Sequence, residues 1–164
     1  MENIQYQIKT PVGPLYVVAS PKGLQGLFFN KQRREKTVKD LNAAGAQGKI
    51  AADTAAQLKE YFAGKRKKFD VNFDFSGTAF QKKVWRQLYK IPYGKTVSYS
   101  AIARSINNPR AVRAVGSANG KNPVCVIIPC HRVIAADGTI GGYSGGLSIK
   151  RKLLALEGVD HAKK

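Results

Sequence analysis

The sequence predicts a mixed α/β (α+β) protein of two lobes. The first is a small lobe with an antiparallel sheet plus a helix. The second is a mainly helical lobe with a helix pair of helix-turn-helix type and a candidate active-site cysteine. Three observations predict this. Residues 4–29 alternate apolar and polar side chains between Gly/Pro turns. Helical periodicity dominates beyond residue 78. Composition changes at Ser76-Gly77-Thr78, which divides the chain into residues 1–75, a supporting lobe, and 76–164, the lobe that holds the chemistry.

In the first lobe, Tyr6-Gln7-Ile8-Lys9 reads as a strand and Thr10-Pro11-Val12-Gly13-Pro14 as a turn. Leu15–Ala19 and Leu24–Phe29 follow as strands about Ser20-Pro21-Lys22-Gly23, completing an antiparallel meander. Residues 31–40 are polar and read as a surface helix or loop. Ala51 to Ala63 has helix-forming composition, with Ala55, Leu58 and Phe62 on one stripe and Gly64 as the stop. Phe69–Phe75 alternates strictly, as a strand or an extended linker would.

In the second lobe, Thr78 and Gln81 form a capping box for a helix whose stripe is Phe80, Val84 and Leu88. It ends before Ile91-Pro92-Tyr93-Gly94. Ser98 caps a short helix to about Ser105, and Asn108 caps a second from Pro109 to about Asn119, with proline at the tolerated first position. Helical stepping puts Ala111, Val112, Val115 and Ala118 on one side, and Arg110, Arg113, Ala114 and Ser117 on the other. Two readings stand here. Arginines among small residues suit a recognition helix at a phosphate backbone, and an ordinary αα-hairpin with a solvated basic face has the same pattern.

Pro123–Ile128 reads as a short buried strand ended by Pro129, which has no N–H to pair. Cys130 then leaves the strand beside His131 and Arg132. A free thiol needs positive or proton-accepting neighbours to become a useful thiolate. An arbitrary cysteine is more often structural; Cys125 fits that description and Cys130, at a strand end in a turn, does not. Asp137–Gly146 is a glycine-rich loop without the Gly-Lys-Ser/Thr of a phosphate-binding loop; Tyr143 and Ser144 place hydroxyls in it. The last helix runs from about Ser148 to Glu157, with Ile149, Leu153, Leu154 and Leu156 inward and Arg151 and Lys152 outward. Glu157 falls within the apolar arc, where a carboxylate needs a partner; it either sits at the rim and reaches water, or orients a histidine, for which His131 is available. His161 sits in the polar tail Asp160–Lys164, expected to be unstructured.

The net charge of +18 is uneven: residues 1–75 hold 13 Lys/Arg against seven Asp/Glu, and residues 76–164 hold 15 against three. So basic a half attracts polyanions, nucleic acid first. No apolar run approaches a membrane span, and Met1-Glu2-Asn3-Ile4-Gln5 lacks the layout of a secretory signal. Two cysteines argue for a reducing compartment and against a disulfide framework. With two histidines they lack zinc-finger spacing, so no metal is expected. The expectation is a cytoplasmic protein with no membrane association and no cofactor.

The second lobe closely resembles the O6-alkylguanine-DNA alkyltransferases (methylated-DNA–protein-cysteine methyltransferases) over roughly residues 76–158. The resemblance rests on Phe80-Gln81, Val84-Trp85, Ile91-Pro92-Tyr93-Gly94, Ser98-Tyr99, Asn108–Gly116, Asn122-Pro123, Ile128–Val133, Gly142–Leu147 and Leu153-Leu154 with Glu157-Gly158, in that order. It implies a monomeric repair protein that accepts an alkyl group from guanine O6 in double-stranded DNA on Cys130; the same displacement extends in principle to O4-alkylthymine. His131 would deprotonate the thiol through a water, Glu157 would hold the other ring nitrogen, and Asn122 would stabilise the turn carrying Cys130. Arg113 would occupy the space of the flipped base while Tyr99 drives its rotation and donates to guanine N3. Arg110, Ala114 and Ser117 would complete a face that enters the minor groove. The Ser144 N–H would face O6, the Cys130 and Val133 carbonyls would accept from the exocyclic amine, and Tyr143 would line the pocket. Asn119 departs from members with a bulkier apolar residue there. A DNA-binding regulator would explain the charge but not Pro129-Cys130-His131-Arg132, and a Cys–His hydrolase would require turnover. A lesion-binding relative without chemistry would lack the cysteine.

Overall fold

The computed structural model describes residues Glu2–Val159; the tail Asp160–Lys164 lies outside the described residues. The chain gathers into two compact units. One runs to Ser76 and takes in Pro123–Cys125; the other comprises residues 77–122 and continues from Val126.

In the first unit, β1 (Ile4–Thr10) and β2 (Gly13–Ala19) pair antiparallel, from Ile4 opposite Ala19 to Thr10 opposite Gly13. β3 (Leu24–Phe28) continues the meander on the other side of β2. The polar segment 31–40 contributes β4 (Lys36–Thr37), a short edge strand parallel to β1, so the sheet order is β3-β2-β1-β4. Its anchor is the fully buried Gln5, whose amide oxygen accepts from the Gln32 N–H at 2.8 Å and whose nitrogen donates to Thr37 Oγ1 at 3.0 Å. That pairing satisfies a polar side chain that burial would otherwise penalise.

α1 (Gly45–Phe62) packs against β1 and β2. It begins before Ala51 because a 3-10 turn at Leu41–Ala44, capped by Asp40, leads directly into it. Its inward stripe is Ala51, Thr54, Leu58 and Tyr61 rather than Ala55, Leu58 and Phe62. Gly64, at φ 75°, ends it in a Schellman motif: Lys65 N–H reaches Glu60 O and Gly64 N–H reaches Tyr61 O. Beyond it, residues 69–75 run extended, gripping Leu24 through its N–H to Asn72 O (2.7 Å) and its carbonyl from Asp74 N–H (2.8 Å). A Cβ on Gly23 would stand 2.6 Å from the Asn72 oxygen, so this close approach requires glycine. The buried strand expected over Pro123–Ile128 is much shorter. Val124 bridges Leu27, and pairing ends at Cys125 because Val126 turns into left-handed backbone at φ 72°.

The second unit opens with α2 (Ala79–Tyr89) under the full Thr78–Gln81 capping box. Trp85 reaches from α2 to α4 (Val112–Gly120), donating its indole N–H to Ala118 O at 2.9 Å. α3 (Tyr99–Ser105), capped by Ser98, precedes α4 and ends with Asn107 in the left-handed region. The α4 start is corrected: Asn108 does not cap it. Asn108 to Ala111 is a turn closed by Ala111 N–H to Asn108 O at 3.0 Å, with Pro109 at its second position, and the helix begins at Val112. β5 (Val97–Ser98) pairs parallel with β6 (Val133–Ile134), and α5 (Leu147–Leu156) closes the unit.

Replacing Thr78 with alanine removes one half of the capping box and orphans a helix N–H. The expected loss is about 1 kcal/mol, read as a lower urea midpoint with unchanged slope.

Candidate active site

Cys130 owes its position to the turn that carries it. Asn122 Nδ2 donates to Ile128 O at 2.7 Å, fixing the chain just before Pro129. Cys130–Arg132 then makes one 3-10 turn and passes straight into β6. Because β6 pairs with β5, and β5 runs directly into α3, Tyr99 comes to the same place. Cys130 is 1% exposed and forms part of the wall of a cavity of about 280 Å³ with Tyr99, Tyr143 and Ser144. Gly116, Asn119, Gly120 and Gly142 complete the lining. Burial, and then a Cys130 thiolate, push the Tyr99 phenol above its ordinary value of 10, so its hydroxyl stays a donor.

His131 is fully buried and its Nε2 lies 2.7 Å from Glu157 Oε2. That hydrogen bond makes Nε2 the protonated nitrogen of the neutral ring, which leaves Nδ1 as the acceptor; Nδ1 is buried and bonds no protein group. Burial lowers the His131 pKa below 6.5 against the opposing pull of Glu157. The ring is therefore neutral near pH 7.

Arg132 faces the carboxylate rather than the thiol. Its Nε donates to Glu157 Oε1 at 2.7 Å and its Nη2 to Oε2 at 2.9 Å, a two-pronged grip. The remaining prong donates to Ile91 O at 2.7 Å, and the guanidinium lies 5.7 Å from the centre of the Tyr93 ring. Gly94 N–H adds a long contact to Glu157 Oε1 at 3.4 Å. Glu157 is the C-cap of α5, with Gly158 at φ 79° completing the stop. A carboxylate at that end of a helix opposes the dipole. Burial alone would raise its pKa, yet the bonds to His131 and Arg132 and their charge pull it down to about 2.

Lys150 escaped the sequence reading, which turned the other α5 cations outward. It is buried, and its Nζ donates to Val133 O at 2.7 Å and Gly142 O at 3.0 Å, tying the glycine loop to β6. Burial lowers its pKa to about 8, against the attraction of a Cys130 thiolate. The signal was present: Lys150 stands three and four residues before Leu153 and Leu154, on their face of the helix. The Val133 carbonyl expected to meet a base is thus already engaged, with one lone pair left.

The basic face lies on α4 and the turn before it. Arg113, Ala114 and Ser117 are exposed on the helix, and Arg110 is exposed in the turn. Val112, which helical stepping groups with Val115 and Ala118, is exposed, and Asn119 takes an inward place with those two. None of the four expected DNA-contacting residues on this face lines the cavity. Both cysteines are free. Among the described residues, no three His, Cys, Asp or Glu side chains gather as a metal site.

Two family models match the chain: the DNA binding domain of 6-O-methylguanine DNA methyltransferase over residues 79–159, and its ribonuclease-like domain over residues 5–75. A methylated-DNA–protein-cysteine methyltransferase of Methanosarcina acetivorans is 45% identical over 92% of this chain and 95% of its own. One of Mycobacterium tuberculosis is 45% identical over 92% and 89%. The crystal structure of Mycobacterium tuberculosis OGT in complex with DNA superposes with a TM-score of 0.83 at 41% identity, covering 93% of this chain and 91% of that one.

The buried ion network fixes the acid response. Glu157 has a folded pKa below its unfolded value, so its stabilisation is complete above about pH 4.5 and lost as pH falls towards 2. His131, held neutral, favours unfolding as pH drops below 6.5. Urea midpoints should therefore fall in two acid steps, and Glu157→Gln should flatten the lower one. Arg132→Leu, which takes the buried carboxylate's guanidinium away, should cost about 3–5 kcal/mol at neutral pH.

Proposed function

The chain belongs to the 6-O-methylguanine DNA methyltransferase family, and from that membership we infer that it repairs DNA by moving a methyl or larger alkyl group from guanine O6 to its own Cys130. It is a methylated-DNA–protein-cysteine methyltransferase whose partner is DNA. The observation that carries the assignment to Cys130 is its place on the wall of a cavity with Tyr99, Tyr143 and Ser144, backed by a histidine whose far nitrogen is held by a carboxylate.

The reaction is an in-line displacement. Cys130 Sγ bonds to the alkyl carbon as the carbon–O6 bond breaks, and the electron pair stays on O6. The thiol proton passes through a bridging water to His131 Nδ1, and guanine regains a proton at N1. Glu157 stabilises the imidazolium that forms, following nucleophile–base–orienter logic. Arg132 positions Glu157, and Lys150 sets a positive charge beside the thiolate. A thioether is a poor leaving group and, among the described residues, no second thiol lines the cavity, so each molecule acts once.

A stacked base is out of reach of a buried thiol, so the nucleotide must be flipped out. Arg113, exposed on α4, fills the space the base vacates, and Tyr99 drives rotation and donates to guanine N3. Arg110, Ala114 and Ser117 meet the minor groove and backbone, Tyr143 lines the pocket, and the Ser144 N–H faces O6. The free lone pair of Val133 O accepts from the guanine amine, beside the Cys130 carbonyl, which itself already takes the Val133 N–H and Asn119 Nδ2. Asn122 holds the Cys130 turn. The lobe of residues 1–75 supports the working lobe, residues 76–164. The protein acts as a cytoplasmic monomer; no helix among the described residues is long and apolar enough to cross a membrane.

Intact mass after mixing with duplex DNA carrying O6-methylguanine should rise by one methyl group, mapped to Cys130 and capped at one per protein. Cys130→Ala should abolish that gain while keeping DNA affinity; persistent transfer would sink the assignment. Arg113→Ala should slow repair of duplex DNA more than reaction with free O6-benzylguanine. Equal losses on both would remove its flipping role.

A further inference from the structure

Asn119 is a wall residue whose polar side chain the repair reaction leaves unused. It is 5% exposed in the last turn of α4 and lines the same cavity as Cys130. Its Nδ2 donates to the Cys130 carbonyl at 3.5 Å, a long bond that nonetheless sets which way the amide points. Reversal would set two acceptor oxygens against each other. Oδ1 is therefore the atom left over, buried and without a protein partner. Leaving a buried acceptor unmet costs about 1–3 kcal/mol, so this oxygen calls for a donor from whatever enters the cavity.

O6-alkylguanine offers few. N1, O6 and N7 are acceptors, which leaves the exocyclic amine and any donor on the O6 substituent. The amine has the free lone pair of the Val133 carbonyl to donate to. The substituent is different. Its first carbon must lie between Cys130 Sγ and O6 for displacement, so its second carbon projects sideways from that line into the cavity, where the Asn119 carboxamide, bonded to the Cys130 carbonyl, forms part of the polar wall.

We propose that Asn119 Oδ1 accepts a hydrogen bond from a hydroxyl on the second carbon of the O6 substituent, making O6-(2-hydroxyalkyl)guanines preferred substrates over plain alkyl lesions of equal length. The proposal rests on the repair reading. The chemistry is unchanged: the S–C bond forms, the C–O6 bond breaks with its pair to O6, and Cys130 ends as S-(2-hydroxyethyl)cysteine. Asn119 does not act on the reacting atoms; it sorts their appendages.

The test compares single-turnover rates on duplexes carrying O6-methyl-, O6-ethyl- or O6-(2-hydroxyethyl)guanine, for the unaltered protein, Asn119→Leu and Asn119→Ala. The unaltered protein should favour hydroxyethyl over ethyl by about tenfold, the worth of one net hydrogen bond to a buried acceptor. Both variants should bring that ratio close to one while still removing methyl groups. Should Asn119→Leu remove no methyl, the ratio is read from Asn119→Ala. Equal hydroxyethyl and ethyl rates in the unaltered protein overturn the proposal. So does a uniform slowing of all three lesions in the variants, which would assign the oxygen to the base. If the unaltered protein takes no group even from O6-methylguanine, the repair reading itself fails.

Discussion

Glu157 closes α5 at the end where a negative charge is least welcome, inside the protein, and three groups hold it there. His131 takes one oxygen, Arg132 spans both, and the Gly94 N–H leans on the first. Since His131 and Arg132 are consecutive, the carboxylate fixes the whole 3-10 turn that begins at Cys130. It also reaches the end of α2, because Arg132 donates to the Ile91 carbonyl. Breaking a buried pair of this kind is costly because a charge stays in the interior without its counter-charge. Glu157 is therefore a joint between the turn that begins at Cys130 and two helix ends.

Apart from Gly116 within α4, the cavity wall is assembled from the ends of elements and from a loop. Tyr99 opens α3 and Cys130 opens a 3-10 turn; Asn119 comes one residue before the end of α4, and Tyr143 and Ser144 lie in the loop before α5. The two rungs of the β5–β6 pair bring the first two together. Lys150 fastens the loop by two carbonyls. Loops set on rigid elements are where binding side chains usually sit, and here side-chain hydrogen bonds supply the rigidity that the loop lacks.

Much of this was legible in the sequence. The capping box at Thr78, the meander and the apolar arc that holds Glu157 all follow from local patterns, which the tertiary structure respects. The Cys130–His131 segment was found through composition and its strand-end position. Three features were not legible. Pro109 suits a helix start and a turn equally, and the choice went to the turn. Val126 carries strong strand propensity but is held at positive φ by the chain around it. The inward face of Lys150 follows from its spacing to Leu153 and Leu154, but its acceptors are main-chain carbonyls, which no side-chain pattern announces. Position and burial, rather than residue type, distinguish such groups.

The positive φ of Val126 bears on how this segment tolerates change. A β-branched residue in that region carries strain of order 1–3 kcal/mol, and glycine would relieve it. Yet Val126 is fully buried, and its removal would forfeit apolar contact worth about 1.5–3 kcal/mol while freeing the backbone four residues before Cys130. Asparagine would suit the backbone and bury an amide instead. Each single substitution trades one penalty for another of similar size. The position is thus a local optimum in sequence space: escape from it requires a second, compensating change in the packing around it.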